Sequence, residues 1–238
     1  MKITYLFNSG FLLQMGDTAL VFDDYQDPAH AVESTRDQSL YIFASHAHFD
    51  HFDSHILQYA DRTMKYFFSN DIRHTVRAKE FPADKTVYLK KYDSYDDGKI
   101  KITSFDSTDV GTSFLVEKDG WRIFHAGDFN WWHWKGDTEE NIKLARNGFM
   151  KQMKKIDGLE VDLAFFPVDG RLAEFAALGA KEFCSRTHVG ALITMHSVGF
   201  PQWKPTEDFF LPGRKIPCWV PMEPGESRKI SRGGEFSK

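Results

Sequence analysis

The chain has 238 residues, 42% of them apolar, with a formal net charge of −4 at pH 7 and ten His. That length suffices for one large domain with a real core, and the acidic balance disfavours a binder of phosphate backbones, so no nucleic-acid partner is expected. No stretch approaches the ~20 apolar residues of a membrane span. With no signal-peptide cleavage pattern after Met1, this predicts a cytoplasmic protein without a membrane partner. Only Cys184 and Cys218 are present, too few for a disulfide framework, although one bridge stays open.

Short apolar runs at 3–7, 11–15 and 19–23 predict an opening meander, with turns at Asn8-Ser9-Gly10 and Gly16-Asp17. The Asn8 turn is expected near the opposite side of the meander, away from the site. A buried strand follows at 39–44. After it, residues 53–60 predict a short helix with Asp53 or Ser54 as N-cap. Further strands are expected at 65–69, 86–89 and 100–105, with a short helix at 71–77. Asp119-Gly120 between strand-like runs at 113–117 and 121–125 is a strong hairpin signal. The spacing of Ile142, Ala145, Phe149, Met153 and Ile156 is helical over 138–156. A strand at 163–166, a helix over 172–185 and a strand at 191–195 complete a layered α/β pattern.

The chemistry gathers around Ser45-His46-Ala47-His48-Phe49-Asp50-His51-Phe52, directly after the 39–44 strand. Imidazole nitrogen and carboxylate oxygen are the usual ligands of Zn²⁺ and related ions. No regular helix or strand aims side chains at spacings of two, two and one toward one point, but a tight turn at a strand end can. Two more strand ends carry ligand types: Gly127-Asp128 after 121–125, and His196 after 191–195. Read alone, Gly-Asp is a common turn and a lone His is usually a hydrogen-bonded core residue. Beside the first motif, both read as ligands.

His46-x-His48-x-Asp50-His51, then Gly127-Asp128, then a strand-terminal His196, resembles the metallo-β-lactamase superfamily of metal-dependent hydrolases. The resemblance implies an αββα sandwich, with two mixed β-sheets face to face and helices outside. It makes residues 1–225 one domain, with 226–238 expected as a polar, loosely ordered tail. On that pattern His46 and His48 bind a first metal, Asp50, His51 and His196 a second, and Asp128 bridges both. One element departs from it. The third His of the first site is missing from the stretch Phe105 to Gly111, and Asp109 is the replacement candidate, the alternative being that it only shapes a turn. Two divalent ions are expected, Zn²⁺ first, with Mn²⁺ or Fe²⁺ as alternatives favoured by an extra carboxylate.

The implied function is hydrolysis of a small-molecule ester, lactone, amide or phosphodiester by a metal-activated water. The resemblance is nearest to the small stand-alone sugar-lactonase and phosphodiesterase-like members. Asp50 and Asp128 are the catalytic candidates, Asp50 orienting or deprotonating the water. Di-iron redox members usually carry Glu where His48 stands, which favours hydrolysis. The alternative from another class is a non-catalytic metal- or ligand-binding protein retaining the fold. Trp131, Trp132, His133 and Trp134 follow Asp128 and either wall a substrate pocket or belong to the core. Arg171 either holds an anionic substrate group or pairs with Asp169. Asp169 and His125 are candidates for the layer supporting the ligands, His125 also for an acid. Oligomeric state is open.

Overall fold

A computed structural model describes residues 1–197, 203–206, 209–210 and 213–237. Among these, no helix is long and apolar enough to cross a membrane. The chain opens as β1 (Lys2–Tyr5), β2 (Phe11–Met15) and β3 (Thr18–Phe22), an antiparallel meander, and then adds β4 (Ser39–Ala44), β5 (Thr63–Ser69) and β6 (Thr86–Leu89) in parallel. The second sheet begins with β7 (Ser94–Asp96), β8 (Lys101–Asp106), β9 (Thr112–Lys118) and β10 (Trp121–His125), all antiparallel. Helix α1 (Glu139–Met153) leads to β11 (Glu160–Pro167), and α2 (Leu178–Arg186) to β12 (His188–Met195) and β13 (Cys218–Trp219). These strands join β10 in parallel.

Period-two alternation builds two separate cores from one sheet. Phe11, Leu13, Leu20, Phe22, Tyr41, Phe43 and Phe67 point inward and meet the second sheet, where Phe165 lies 4.5 Å from Phe11 between ring centroids. Their neighbours Leu12, Val21, Ile42, Tyr66 and Phe68 point outward and pack under Val32, Ile56, Tyr59, Ile72 and Phe81. Each such fully buried side chain contributes on the order of 2 kcal/mol. The outer face of the second sheet is covered by the helices, with Phe183 of α2 stacked on Phe124 and Phe166. The result is the four-layer αββα sandwich.

Three local expectations change. Over the first sheet the helical layer consists of 3-10 turns, at Ser54–Tyr59, Ile72–His74 and Arg77–Glu80, and Asp53 is the N-cap of the first, accepting from His55 N at 2.9 Å. The helix expected over 172–185 is broken: a 3-10 segment at Gly170–Phe175 turns at Ala173 (φ 52°) before α2 starts. The tail expected to be loose beyond 225 is built into the first sheet as β14 (Ser227–Ile230) and β15 (Phe236–Ser237), with Lys229 opposite Lys2; Lys238 lies outside the described residues. β14 lies between β1 and the edge strand β15, and its Ser227, Arg228 and Lys229 stay open to water, which disguises it as tail, while Ile230 anchors the strand in the core. Both cysteines are free.

Candidate metal centre

Parallel strands present all their carboxyl ends at one edge, the usual place for a site in such sheets. Five strands do so here. β3 ends at Asp23, β4 at the His46–His51 turn, β10 at Gly127-Asp128, β11 at Asp169 and β12 at His196. Gly127 and Gly111 let the backbones close around the His turn. Both have positive φ, and a Cβ on Gly111 would sit 2.1 Å from the Ser45 carbonyl oxygen, one on Gly127 2.7 Å from Ser45 Cβ. His196 itself holds a left-handed conformation (φ 64°), its N–H donating to Asn8 O at 3.1 Å. For a residue with a Cβ that conformation costs roughly 1–2 kcal/mol, and here it aims the ring into the centre.

Asp128 is the hub. Its Oδ1 lies 3.1 Å from His51 Nε2 and 3.3 Å from His196 Nε2, and its Oδ2 lies 3.5 Å from His46 Nε2. Asp50 Oδ2 is 3.7 Å from both His51 Nε2 and His196 Nε2. Three sets of potential ligand atoms cluster within 4.8 Å: His46, His51 and Asp128; Asp50, His51 and His196; and His48, Asp109 and Asp128. The third set brings Asp109 together with His48 and Asp128.

Each imidazole is oriented from behind. Asp23 is fully buried and accepts from Ser45 N (2.7 Å), Ser45 Oγ (2.7 Å) and His51 Nδ1 (2.8 Å). Since Ser45 Oγ spends its proton on Asp23, it accepts from His46 Nδ1 at 3.0 Å. Asp169 likewise takes the proton of His196 Nδ1 at 3.0 Å. In all three rings Nδ1 faces an acceptor and Nε2 faces the centre, the arrangement a metal ligand needs, and His46 Nε2 also meets His48 Nδ1 at 2.9 Å. Asn8 Nδ2 donates to Asp50 Oδ2 at 3.2 Å.

Electrostatics agree for Asp128 and His46, whereas His51 without an ion favours its protonated form, whose Nε2 proton an ion would displace. Burial opposes ionisation of Asp128, yet the pull of His51 and His196 overrides it and holds the carboxyl far below the usual range. Burial drives the His46 imidazole down to about 3, leaving it neutral and able to donate its lone pair. His51 suffers the same burial, but Asp128 and Asp23 raise it well above its ordinary value. The donor set fits divalent ions by a direct observation: His51 Nε2, His196 Nε2 and Asp128 Oδ1 are buried without any hydrogen-bond partner. Such atoms cost about 1–3 kcal/mol each when unsatisfied, and an ion at this point satisfies all three.

The centre floors a cleft of about 520 Å³ that His48, Asp109, Trp132, Trp134 and Arg171 also line. The Trp-rich run divides. Trp132 hydrogen-bonds through Nε1 to Asp128 O (3.1 Å) and stacks in parallel on Trp134, 5.9 Å between centroids. Trp131 stacks instead on Phe149, and His133 on Phe175 at 4.0 Å, neither lining the cleft. His125 is fully buried between Phe22 and Asp23; its Nε2 donates to Ser9 O (2.9 Å) and its Nδ1 accepts from Gly127 N (3.2 Å). Both ring nitrogens are occupied and burial lowers its basicity, so it supports the site and has no opening as an acid. Arg171 pairs with Asp169 and still reaches the cleft. The Asn8-Ser9-Gly10 turn, expected away from the site, lies against it through Asn8 and Ser9.

Asp23 escaped the sequence reading, as did the part played by Asn8. The available signal was a carboxylate directly after an apolar strand, as at Asp128.

A family model described as a beta-lactamase superfamily domain matches residues 2–146, more than half of the chain. The chain belongs to this family. No curated protein matches the sequence. Among solved structures, the fold is similar to Igni18, a metallo hydrolase from the archaeon Ignicoccus hospitalis KIN4/I, with TM-score 0.62 at 20% identity over 95% of this chain and 96% of that one. It is also similar to the metallo-beta-lactamase fold protein YhfI from Bacillus subtilis, with TM-score 0.60 at 14% identity over 95% and 97% of the two chains. A third likeness is to CmlA, a diiron beta-hydroxylase from Streptomyces venezuelae, with TM-score 0.57 at 10% identity over 82% of this chain and 44% of that one. At these identities the likeness is one of fold. The fold is shared by a metallo hydrolase and a diiron beta-hydroxylase, so the reaction has to be read from the site.

Asp109 gives a direct check on the first metal position. Asp109→Ala is expected to lower metal content from about two per chain toward one, measured by elemental analysis against wild type. Two ions bound with unchanged affinity would remove Asp109 from the ligand set.

Proposed function

We propose that this protein is a cytoplasmic, two-metal hydrolase of small esters, lactones, amides or phosphodiesters. The observation that carries the reading is the set of three unpartnered, buried donors on Asp128, His51 and His196 at the floor of an open cleft. His46, His48, Asp109 and Asp128 would hold one ion, and Asp50, His51, His196 and Asp128 the other. Divalent ions supply a water of near-neutral pKa and polarise a carbonyl or phosphoryl oxygen.

The chain's own residues do the rest. Asp50 is tethered by Asn8, is partly open to the cleft and is placed to take a proton from an attacking water. Asp23, Ser45 and Asp169 keep the imidazole lone pairs directed inward. Trp132 and Trp134 provide an apolar wall that positions a substrate and limits its access to bulk water. His48 stands where the di-iron redox pattern of this fold usually carries Glu, which favours hydrolysis.

The test is a panel of chromogenic esters, lactones and phosphodiesters, run on protein loaded with Zn²⁺, Mn²⁺ or Fe²⁺ and on chelator-treated protein. Turnover that disappears with the metal and returns on reloading supports the reading. Turnover that survives full metal removal would overturn it. Trp134→Ala is expected to raise KM roughly threefold or more, through loss of the stacked wall, with metal content unchanged. A folding defect instead would mark Trp134 as structural.

A further inference from the structure

Arg171 does something that its pairing with Asp169 does not use up. Its Nε donates to both carboxylate oxygens of Asp169, at 3.0 and 2.9 Å, and its Nη2 donates to Oδ2. Among the described residues, Nη1 has no hydrogen-bond partner. The side chain is 46% exposed and lines the metal cleft, where it is the only Lys or Arg among the described lining residues. Asp169 chiefly raises its basicity, with Asp128 and Asp50, which line the same cleft, adding to it.

The guanidinium is also held rigidly. Its Cζ lies 5.4 Å above the Trp134 ring; Trp134 stacks on Trp132, and Trp132 is pinned to the Asp128 carbonyl. On the other side Asp169 bonds both Arg171 and His196. A closed loop of contacts thus runs from Asp128 through Trp132, Trp134, Arg171 and Asp169 to His196. A salt bridge needed only for stability would not require a free Nη1 at the cleft wall. A donor held at a set place beside the centre loses little freedom on binding, so its hydrogen bonds count in full.

We propose that the substrate carries a second anionic group, a carboxylate or phosphate separate from the bond that is cut, and that Arg171 Nη1 binds it. The assignment rests on the hydrolase reading of the cleft. Asp169 already balances much of the Arg171 charge, so recognition is by directed hydrogen bonds at short range. Asp50 and Asp109, facing the metals, leave Arg171 as the anchor for the distal anion.

The test uses product-like acids on Zn²⁺-loaded protein, measured by titration calorimetry. The unbranched dicarboxylates from malonate to adipate are each compared with the monocarboxylate of the same chain length, butyrate against succinate for example. A dicarboxylate can engage the centre and Arg171 together; a monocarboxylate cannot. In wild type the best dicarboxylate is expected to bind at least ~10-fold more tightly than its monocarboxylate. In Arg171→Ala that ratio should collapse to within threefold. Arg171→Gln, which keeps a hydrogen bond to Asp169, serves as the second variant should Arg171→Ala lose metal or stability. A wild-type ratio near one across the series, or an undiminished ratio in Arg171→Gln, would overturn the proposal. A phosphate-bearing series (methyl phosphate against phosphoacetate) separates the two anion types by the same ratio. Failure of the hydrolase reading shows up elsewhere: an Arg171-dependent ratio without metal-dependent turnover of any ester leaves the anion site standing and removes the hydrolase.

Discussion

Asp128→Ala is expected to cut metal content from about two ions per chain to one or none, and to lower metal-dependent turnover by at least ~10³-fold. The carboxylate is only 5% exposed and, among the described residues, is the single group facing His46, His51 and His196 at once, at 3.1 to 3.5 Å. Without it, three imidazole nitrogens surround a void, and neither ion keeps its shared ligand. The fold should survive, because Asp128 is not a strand residue and His51 retains Asp23 as a buried partner. Circular dichroism beside elemental analysis separates the two effects. Asp128→Asn keeps the shape but removes the charge, and should fall between wild type and Ala in metal affinity. Two ions and full turnover in Asp128→Ala would end the two-metal description.

The second large effect is predicted one layer out. Asp23→Asn is expected to destabilise the metal-free protein by roughly 3–5 kcal/mol and to weaken metal binding by about 10–100-fold. Asp23 is fully buried and accepts three hydrogen bonds, from Ser45 N, Ser45 Oγ and His51 Nδ1. Burial opposes its ionisation, but His125 and His51 hold the carboxyl below the usual range. An Asn amide has one oxygen to offer three donors, so at least one N–H would face another donor. His51 would then surrender the Nδ1 hydrogen bond that directs its lone pair to the centre. Denaturant titration of apo protein reads the first effect, and competition with a calibrated chelator the second. Unchanged values of both would show that Asp23 is dispensable, and that the His51 orientation comes from packing alone.

Local signals carried much of the architecture. The near-continuous apolar runs in residues 11–15, 19–23 and 39–44 announce strands, and the structure assigns the odd-numbered Phe11, Leu13, Tyr41 and Phe43 to one core and Leu12 and Ile42 to the other. Asp119-Gly120 marks the β9–β10 hairpin, and Thr138 caps α1 by accepting from Asn141 N. The His motif was legible because its spacing fits no regular element.

Local signals failed where burial on one side was missing or where a helix was too short. Residues 227–230 carry Ser, Arg and Lys because this strand, one in from the sheet's edge, leaves those side chains open to water, and only pairing with β1 and β15 reveals it. The segment 72–80 forms two 3-10 turns, since tertiary packing of Ile72 and Ala78, rather than a sustained helical stripe, places it.

The metal motif, its strand-end position and the absence of a third His were therefore properties of the chain that could be read in order. Which carboxylates support the imidazoles, and which aromatics face the cleft, were settled only by the packing of two sheets. Asp23 and His51 are 28 residues apart, Asp169 and His196 27, and Ser9 and His125 116. No local pattern distinguishes these partners from other polar residues at strand ends. The parallel strands of each sheet bring their carboxyl ends to one edge, and burying Phe11, Phe22 and Phe165 between the sheets locks those edges together. That hydrophobic contact is what turns five separate strand ends into one site.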